Sequence, residues 1–512
     1  MLVKTFASTL HGISAITVLV EVHLSDGIGY HLVGLPDSAI RESQQRIISA
    51  MESSGYRWPG KRLIINLAPA DLRKEGSAFD LPLAIGILGV SAQLPCENLG
   101  RFMMMGELSL DGNLRPVRGV LPMALSARRE GFRGMIIPAV NAREAAVVEG
   151  LEIFGMESLH QVVSFLRGSF QPEAVSVDLS ALFNPAEPLG EPDLADVRGQ
   201  ENVKRALEVA AAGGHNVLMV GPPGSGKTML AQRLAGILPP LSVEEALETT
   251  RIHSVAGKLG HHQTLISRRP FRAPHHTISD VALVGGGSYP QPGEISLAHN
   301  GVLFLDELPE FKRSVLEVMR QPLEDRSIRI SRTRFTLEYP STFMLVASMN
   351  PCPCGYYNHP ERPCTCRNGS VAKYLSRISG PLLDRIDLHI EVVPVSYEKL
   401  TGTVTVESSA DVRRRVERAR NIQSERYAKT PGVFCNSQMS SRLIRKWIQP
   451  DEAGRLLLKQ AMERLGLSAR AYDRILKVSR TIADLEEADA IRVHHIAEAV
   501  NYRSLDREIW GS

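Results

Sequence analysis

Long apolar runs are missing from this chain. No stretch of 18 apolar residues occurs in its 512 residues, and Met1-Leu-Val-Lys4 lacks the basic, apolar and small-residue layout of a secretory leader. The expectation is a chain without a membrane span, located in the cytoplasm. Excess charge of one sign is missing too. The 59 basic and 56 acidic residues leave a net charge of +3, so any surface for nucleic acid has to be local. Cysteine is scarce, with six residues, yet four of them crowd into Cys352–Cys366. In a reducing compartment such a cluster points to a metal rather than to disulfides. No internal repeat or low-complexity tract stands out. What remains is 43% hydrophobic and 22% charged, the profile of a soluble globular protein too long for one core; two to four domains are expected.

The chain is organised around Gly221-Pro222-Pro223-Gly224-Ser225-Gly226-Lys227-Thr228, which fits the phosphate-binding pattern G-x-x-x-x-G-K-[ST]. The flanks suit it. Asn216–Val220 is a short apolar run that reads as a buried strand, and Met229–Leu238 has helical spacing ended by Pro239 and Pro240. Glycines let backbone N–H groups approach a polyphosphate, and the helix N-terminus adds partial positive charge there. Lys227 is placed to meet the β- and γ-phosphates of ATP, and Thr228 to ligate Mg²⁺. A chance glycine-rich turn would not need that strand and helix.

Val302-Leu-Phe-Leu-Asp306-Glu307 is an apolar strand ending in two carboxylates, the Walker B pattern. Asp306 is the candidate to hold Mg²⁺ through water, and Glu307 the candidate general base for the attacking water. Phe343–Asn350 is another apolar strand, ending in a polar residue. Directly afterwards come Cys352-Pro-Cys354 and Cys364-Thr-Cys366. Four thiolates suit tetrahedral Zn²⁺ in a closed structural site, with His359 as a substitute ligand. The one-residue spacers are tighter than the usual two, so free thiols or redox pairs stay open. Arg326–Leu337 alternates around a polar centre and reads as a β-hairpin with Arg329, Arg332 and Arg334 near its tip, either a DNA contact or a solvated hairpin. His275 and His276 lie in a Gly/Pro-rich piece and read as loop hydrogen-bonders rather than metal ligands.

Residues 1–170 read as mixed α/β, with strands at Ile13–Val20 and Arg62–Leu67 and an amphipathic helix over Ser38–Ser53. Lys74-Glu-Gly-Ser-Ala-Phe-Asp80-Leu-Pro-Leu-Ala is similar to the nucleophile segment of Lon proteases, and Gly106–Gly119 resembles the later segment leading to their lysine. The register puts Ala78 at the family's serine and Leu121 at its lysine. The resemblance therefore implies a protease fold (ribosomal S5-like) without the dyad, serving assembly or binding. An active peptidase using Ser77 and Lys74 is the alternative. Residues 171–195, with Pro172, Pro185, Pro188 and Pro192, read as a loop-like linker. From about 400 the pattern is helical, over Ala410–Ala428, Asp451–Leu465, Ala469–Leu485 and Arg492–Tyr502.

Together these segments resemble the ComM/YifB family of magnesium-chelatase-like AAA+ ATPases. The resemblance implies an α/β fold: a Lon-protease-like N-domain over 1–170, a P-loop AAA+ core over 196–400 and a helical lid over 401–512. The core would carry a helix-2 insert, a pre-sensor-1 hairpin and the four-cysteine insertion over 351–367. In that frame Asp196–Gln200 packs beside the adenine and Asn350 takes the sensor 1 position. Leu382–Leu388 resembles the segment carrying the family's arginine finger, so Arg385 would reach a neighbouring subunit's γ-phosphate, against the plain alternative of a surface ion pair. Ser468-Ala-Arg470 resembles sensor 2, making Arg470 a second γ-phosphate contact. The family also implies a hexameric ring acting on DNA, a branch-migration motor in recombination of incoming DNA. A chelatase-type ATPase remodelling a partner protein, and a protease or protease regulator, are the competing classes.

Overall fold

The computed structural model describes residues 1–183, 192–260, 263–287, 290–332, 335–357, 359, 361–395 and 406–503. They fall into two compact units, one of Met1–Ala186, Val243–Ser267 and Ser331–Tyr339, the other of Glu187–Ser242, Arg268–Ile330 and Pro340–Ser512.

In the first unit, β1 (Leu2–His11) and β2 (Ser14–Ser25) pair antiparallel from Leu2 opposite His23 to His11 opposite Ser14. Val18, Val20 and Val22 are fully buried at alternate positions of β2, the period-2 signature of a half-covered strand. With β3 (Gly29–Val33), β4 (Arg62–Ala68), β5 (Phe102–Met104), β6 (Gly134–Pro138) and β7 (Glu152–Met156) they form a seven-stranded mixed sheet in the order β3-β4-β2-β1-β5-β6-β7. The helix Asp80–Val90 is buried at every residue, as a helix that is apolar on all sides must be. The predicted helix over 38–53 is broken: Ser38–Arg41 and Ser43–Ser53 are separate helices meeting at Glu42. The stretch 171–195 is not loop throughout, since Leu179–Phe183 is helical and Leu194–Asp196 makes a 3₁₀ turn capped by Asp193.

The Lon-like segment carries no serine–lysine pair. Ser77 Oγ donates to Glu107, whereas Lys74, fully buried, donates through Nζ to the Pro69 carbonyl. Burial lowers the Lys74 ammonium below its usual range. At the two family positions stand Ala78 and the buried Leu121, neither able to do acid–base work.

In the second unit, β8 (Val217–Val220), β9 (Phe271–Arg272), β10 (Val302–Leu305), β13 (Met344–Met349) and β14 (Leu388–Glu391) form an all-parallel sheet in the order β9-β10-β13-β8-β14. Between β10 and β13 in the chain, β11 (Ser327–Arg332) and β12 (Phe335–Pro340) make a two-stranded sheet of their own. The strands β8, β10 and β13 are buried at every position, which a parallel sheet covered on both faces requires. First in sequence yet flanked by the last two, β8 marks the topological switch point, where ligands bind beyond the strands' carboxyl ends.

The helices Ser409–Tyr427, Glu452–Leu465 and Ala469–Leu485 start where Ser408, Asp451 and Ser468 accept backbone N–H bonds in their first turns. In the last of these, Ala471, Ile475, Val478 and Ile482 form one buried stripe in the same core as Val217 and Met219.

Candidate functional site

At the carboxyl end of β8 the chain turns through Gly221–Gly226 into the helix Lys227–Ile237. Gly226 caps that helix at φ +87°, a conformation costly for any residue with a side chain. Beside the loop, β10 ends at Asp306 and Glu307, and β13 at Asn350. These residues line a cleft of about 430 Å³ together with Pro223, Gly224, Ser225, Thr228, Met229 and Met349.

The polar groups are already in register. Lys227 Nζ donates to the Gly221 carbonyl at 2.8 Å, the Pro222 carbonyl at 2.9 Å and Asn350 Oδ1 at 3.2 Å. Burial lowers its pKa, and the nearby Asp306 and Glu307 oppose that shift. The ammonium thus rests on carbonyls that a phosphate can outcompete. Thr228 Oγ1 donates to Asp306 Oδ2 at 2.8 Å, while Ser348 Oγ and the Glu307 N–H occupy Asp306 Oδ1. A hydroxyl and a carboxylate in contact are the hard oxygen donors Mg²⁺ takes beside phosphate. Ser225 Oγ is buried without a partner among the described residues, and an acceptor in the cleft would satisfy it. The residues present fit a Mg²⁺–nucleotide.

Glu307 adopts φ +54°, uncommon for a non-glycine, and its side chain remains half exposed at the cleft. His276 Nδ1 stands 3.7 Å from Glu307 Oε2, its ring 4.1 Å from that of His275. His275 does serve its own loop, its Nδ1 lying 3.0 Å from Thr277 Oγ1. His276, read from sequence only as a loop hydrogen-bonder, instead faces the candidate base. As a positioning residue, its replacement by alanine is expected to lower ATP turnover about ten- to a hundred-fold with nucleotide affinity unchanged. Steady-state rates beside a direct nucleotide titration test this, and an unaltered turnover would detach His276 from the site.

Two predicted residues do not line the cleft. Arg385 is 5% exposed, paired through Nη2 with Glu324 and donating through Nη1 to the Pro381 carbonyl. Arg470 is mostly exposed, with Nη1 3.7 Å from Asp384 Oδ2. On the hairpin, Ile328 and Ile330 turn inward and Arg329 is exposed between them. Arg332 ends β11, and Arg334 lies outside the described residues. The lead-in segment is tied to the helix after the loop: Arg233 Nε donates to the Asp193 carbonyl at 2.7 Å and Nη2 meets Asp196 at 2.9 Å.

The sulfurs of Cys352, Cys354, Cys364 and Cys366 lie within 4.8 Å of one another. The Cys352–Cys354, Cys354–Cys364 and Cys352–Cys364 separations are 3.3, 3.5 and 3.8 Å. A zinc tetrahedron with Zn–S bonds of about 2.3 Å has edges of about 3.8 Å, so the donor set fits that ion. Burial raises the Cys354 thiol, but N–H bonds from Tyr356 and Thr365, together with the neighbouring thiols, bring it down to about 5. His359 is occupied within its own turn, accepting from the N–H groups of Glu361 and Arg362.

Comparison with known proteins agrees with this construction. Models described as magnesium chelatase, subunit ChlI, match residues 193–400 and 20–141, and its C-terminal part matches 406–503. YifB of Salmonella typhimurium is 46% identical over 97% of this chain and 96% of its own length. The competence protein ComM of Haemophilus influenzae is 47% identical, also over 97% of this chain and 96% of its own length. The Lon protease 2 of Bacillus subtilis is 25% identical over 25% of this chain and 22% of its own length. By its P-loop sheet, its carboxylate pair and identity along nearly its whole length, the chain belongs to the ComM/YifB family of magnesium-chelatase-like AAA+ ATPases.

Proposed function

We propose that this chain is the subunit of a hexameric ring that hydrolyses ATP to move DNA, driving branch migration during recombination of incoming DNA. The observation that carries the ATPase part is the cleft, where Lys227, Thr228, Asp306, Glu307 and Asn350 converge. Mg²⁺, when bound with ATP, offsets the charge that develops on the transferred phosphate. The chain's own residues do the rest. The loop N–H groups and Lys227 hold the phosphates, Thr228 and Asp306 hold the ion, and Asn350 orients water toward Glu307, which takes its proton. Arg385 reaches a neighbouring subunit's γ-phosphate, and Arg470 is a second γ-phosphate contact. The four thiolates hold a structural Zn²⁺. The Lon-like region lacks the dyad and serves assembly or binding.

Support for DNA as the substrate is the name of the relative called a competence protein and the exposed Arg329 on its hairpin. A ring repeats Arg329, Arg332 and Arg334 in every subunit, concentrating positive potential despite a net charge of +3. Each phosphate contact contributes about 0.9 to the slope of log affinity against log salt. Replacing all three arginines by alanine is expected to weaken DNA binding for every sequence alike, flatten its salt dependence and abolish DNA stimulation. Basal ATP hydrolysis should survive. Wild-type affinity and salt slope in the triple variant would remove the hairpin from the DNA contact. A wild-type protein that neither binds DNA nor is stimulated by it would leave the chelatase-type reading, a motor that remodels a partner protein, which the matching chelatase models favour.

A further inference from the structure

The thiolate cluster is built against the phosphate-binding loop. Asn350, which accepts from Lys227 Nζ, is separated from Cys352 by Pro351 alone. Cys352 is fully buried, and its carbonyl accepts the Gly355 N–H at 3.0 Å, closing the turn that presents Cys352 and Cys354. Gly355 has φ +86° and lies directly on Pro223 of the loop. A Cβ at Gly355 would sit 2.4 Å from Pro223 Cδ and 2.8 Å from Cγ. Beyond Cys366 the chain continues into the helix Ser370–Leu375, whose Tyr374 is buried. The turn that follows Asn350 thus lies on Pro223 of the phosphate-binding loop.

Among its described residues the segment from 351 to 369 contains no helix or strand. Backbone ladders therefore do not fix its position. The four sulfurs converge instead, and a metal joining them closes both arms of the loop at once.

Resting on the nucleotide reading of the cleft and the zinc reading of the thiolates, we propose that the metal-bound turn is a wall of the nucleotide site. A zinc ion on Cys352, Cys354, Cys364 and Cys366 presses Gly355 against Pro223 and fixes Asn350, so that metal loading is a condition for nucleotide binding. The ion does no chemistry; it positions the loop that does.

The test uses the full chain, purified with its metal, and reads metal content by elemental analysis and affinity by titration with a fluorescent ADP. Wild-type protein is expected to carry about one zinc per chain. A chelator selective for zinc over magnesium should remove it and weaken ADP binding at least ten-fold, with circular dichroism unchanged. Gly355→Ala keeps all four thiols; it should retain its zinc and still lose affinity to a similar degree, because its Cβ displaces Pro223. Gly369→Ala is the control. Gly369 has φ +78° in the same segment, but a Cβ there meets nothing within 4 Å. It should bind ADP within two-fold of wild type. The proposal is overturned by wild-type protein that carries no metal, by zinc-free protein with undiminished affinity, by Gly355→Ala with wild-type affinity, or by Gly369→Ala as impaired as Gly355→Ala. Zinc-loaded wild-type protein that binds no nucleotide would overturn the reading of the cleft itself, and with it this proposal.

Discussion

Replacing Glu307 by glutamine is expected to slow ATP hydrolysis about 10²- to 10⁴-fold while ATP still binds, because the amide keeps the side chain's shape and cannot accept a proton. The local structure makes this a clean experiment. Glu307 holds its φ of +54° through the backbone, with its N–H bonded to Asp306 Oδ1 at 3.0 Å, so the substitution leaves the strand end intact. The loop, Lys227 and Thr228 make no hydrogen bond to its carboxylate, and phosphate binding has no need of it. Lys227→Ala should behave in the opposite way. It removes the cation that phosphates require and leaves the carbonyls of Gly221 and Pro222 without their donor, so nucleotide binding itself should be lost. Rates under saturating ATP, set beside a direct nucleotide titration, separate the two variants. A Glu307→Gln protein that hydrolyses ATP at the wild-type rate would end the assignment of the base.

The parts of this site legible in the sequence are those where one backbone arrangement demands a particular residue run. Gly221–Thr228 is such a run: the turn needs glycine, the phosphate needs N–H groups, and the strand and helix around it show their own periods. The apolar strands ending at Asp306 and Asn350 are equally local signals, and the helix over Ala469–Leu485 was readable to its last residue from its buried stripe and its Ser468 cap. What stayed hidden depends on tertiary contact. His276 looks like any loop histidine until β9 lies beside β10 and brings it to Glu307. Asn216 reads as the first residue of a strand, yet its side chain and N–H bond two other segments. Its N–H reaches Asp387 at 2.9 Å, its Nδ2 the Arg385 carbonyl at 3.1 Å, and its Oδ1 receives the Leu345 N–H at 2.9 Å. The break at Glu42 was invisible because the apolar spacing continues across it. Gly355 carried no sequence signal at all, since its meaning lies in a proline more than a hundred positions away.

Arg385→Ala is expected to cut ATP hydrolysis about 10³-fold or more and to leave nucleotide binding in place, the signature of a finger supplied by a neighbouring subunit. Within one chain the guanidinium is buried, its Nη2 on Glu324 and its Nη1 on the Pro381 carbonyl, and its Nε has no partner among the described residues. A buried donor left unsatisfied is costly, so a phosphate presented by another subunit offers a better set of acceptors than the present one. Only the side chain has to move. The Arg385 carbonyl is held by Asn216 at the root of the P-loop strand, and Asp387 is anchored by Arg474 at 2.7 Å. Burial works against the Asp387 carboxylate, but Arg474 and His215 hold it well below the usual range. Two further variants decide between a finger and an internal ion pair. If Arg385 acts in trans, mixing Arg385→Ala with Lys227→Ala subunits should recover activity, because some mixed interfaces join an intact loop to an intact finger. Glu324→Gln, which loosens the resting partner, should then preserve or raise hydrolysis. If Arg385 serves only the fold, its buried guanidinium needs the half-exposed Glu324 as its partner, so Glu324→Gln should lower stability and activity as Arg385→Ala does, and mixing subunits shown to co-assemble should restore nothing.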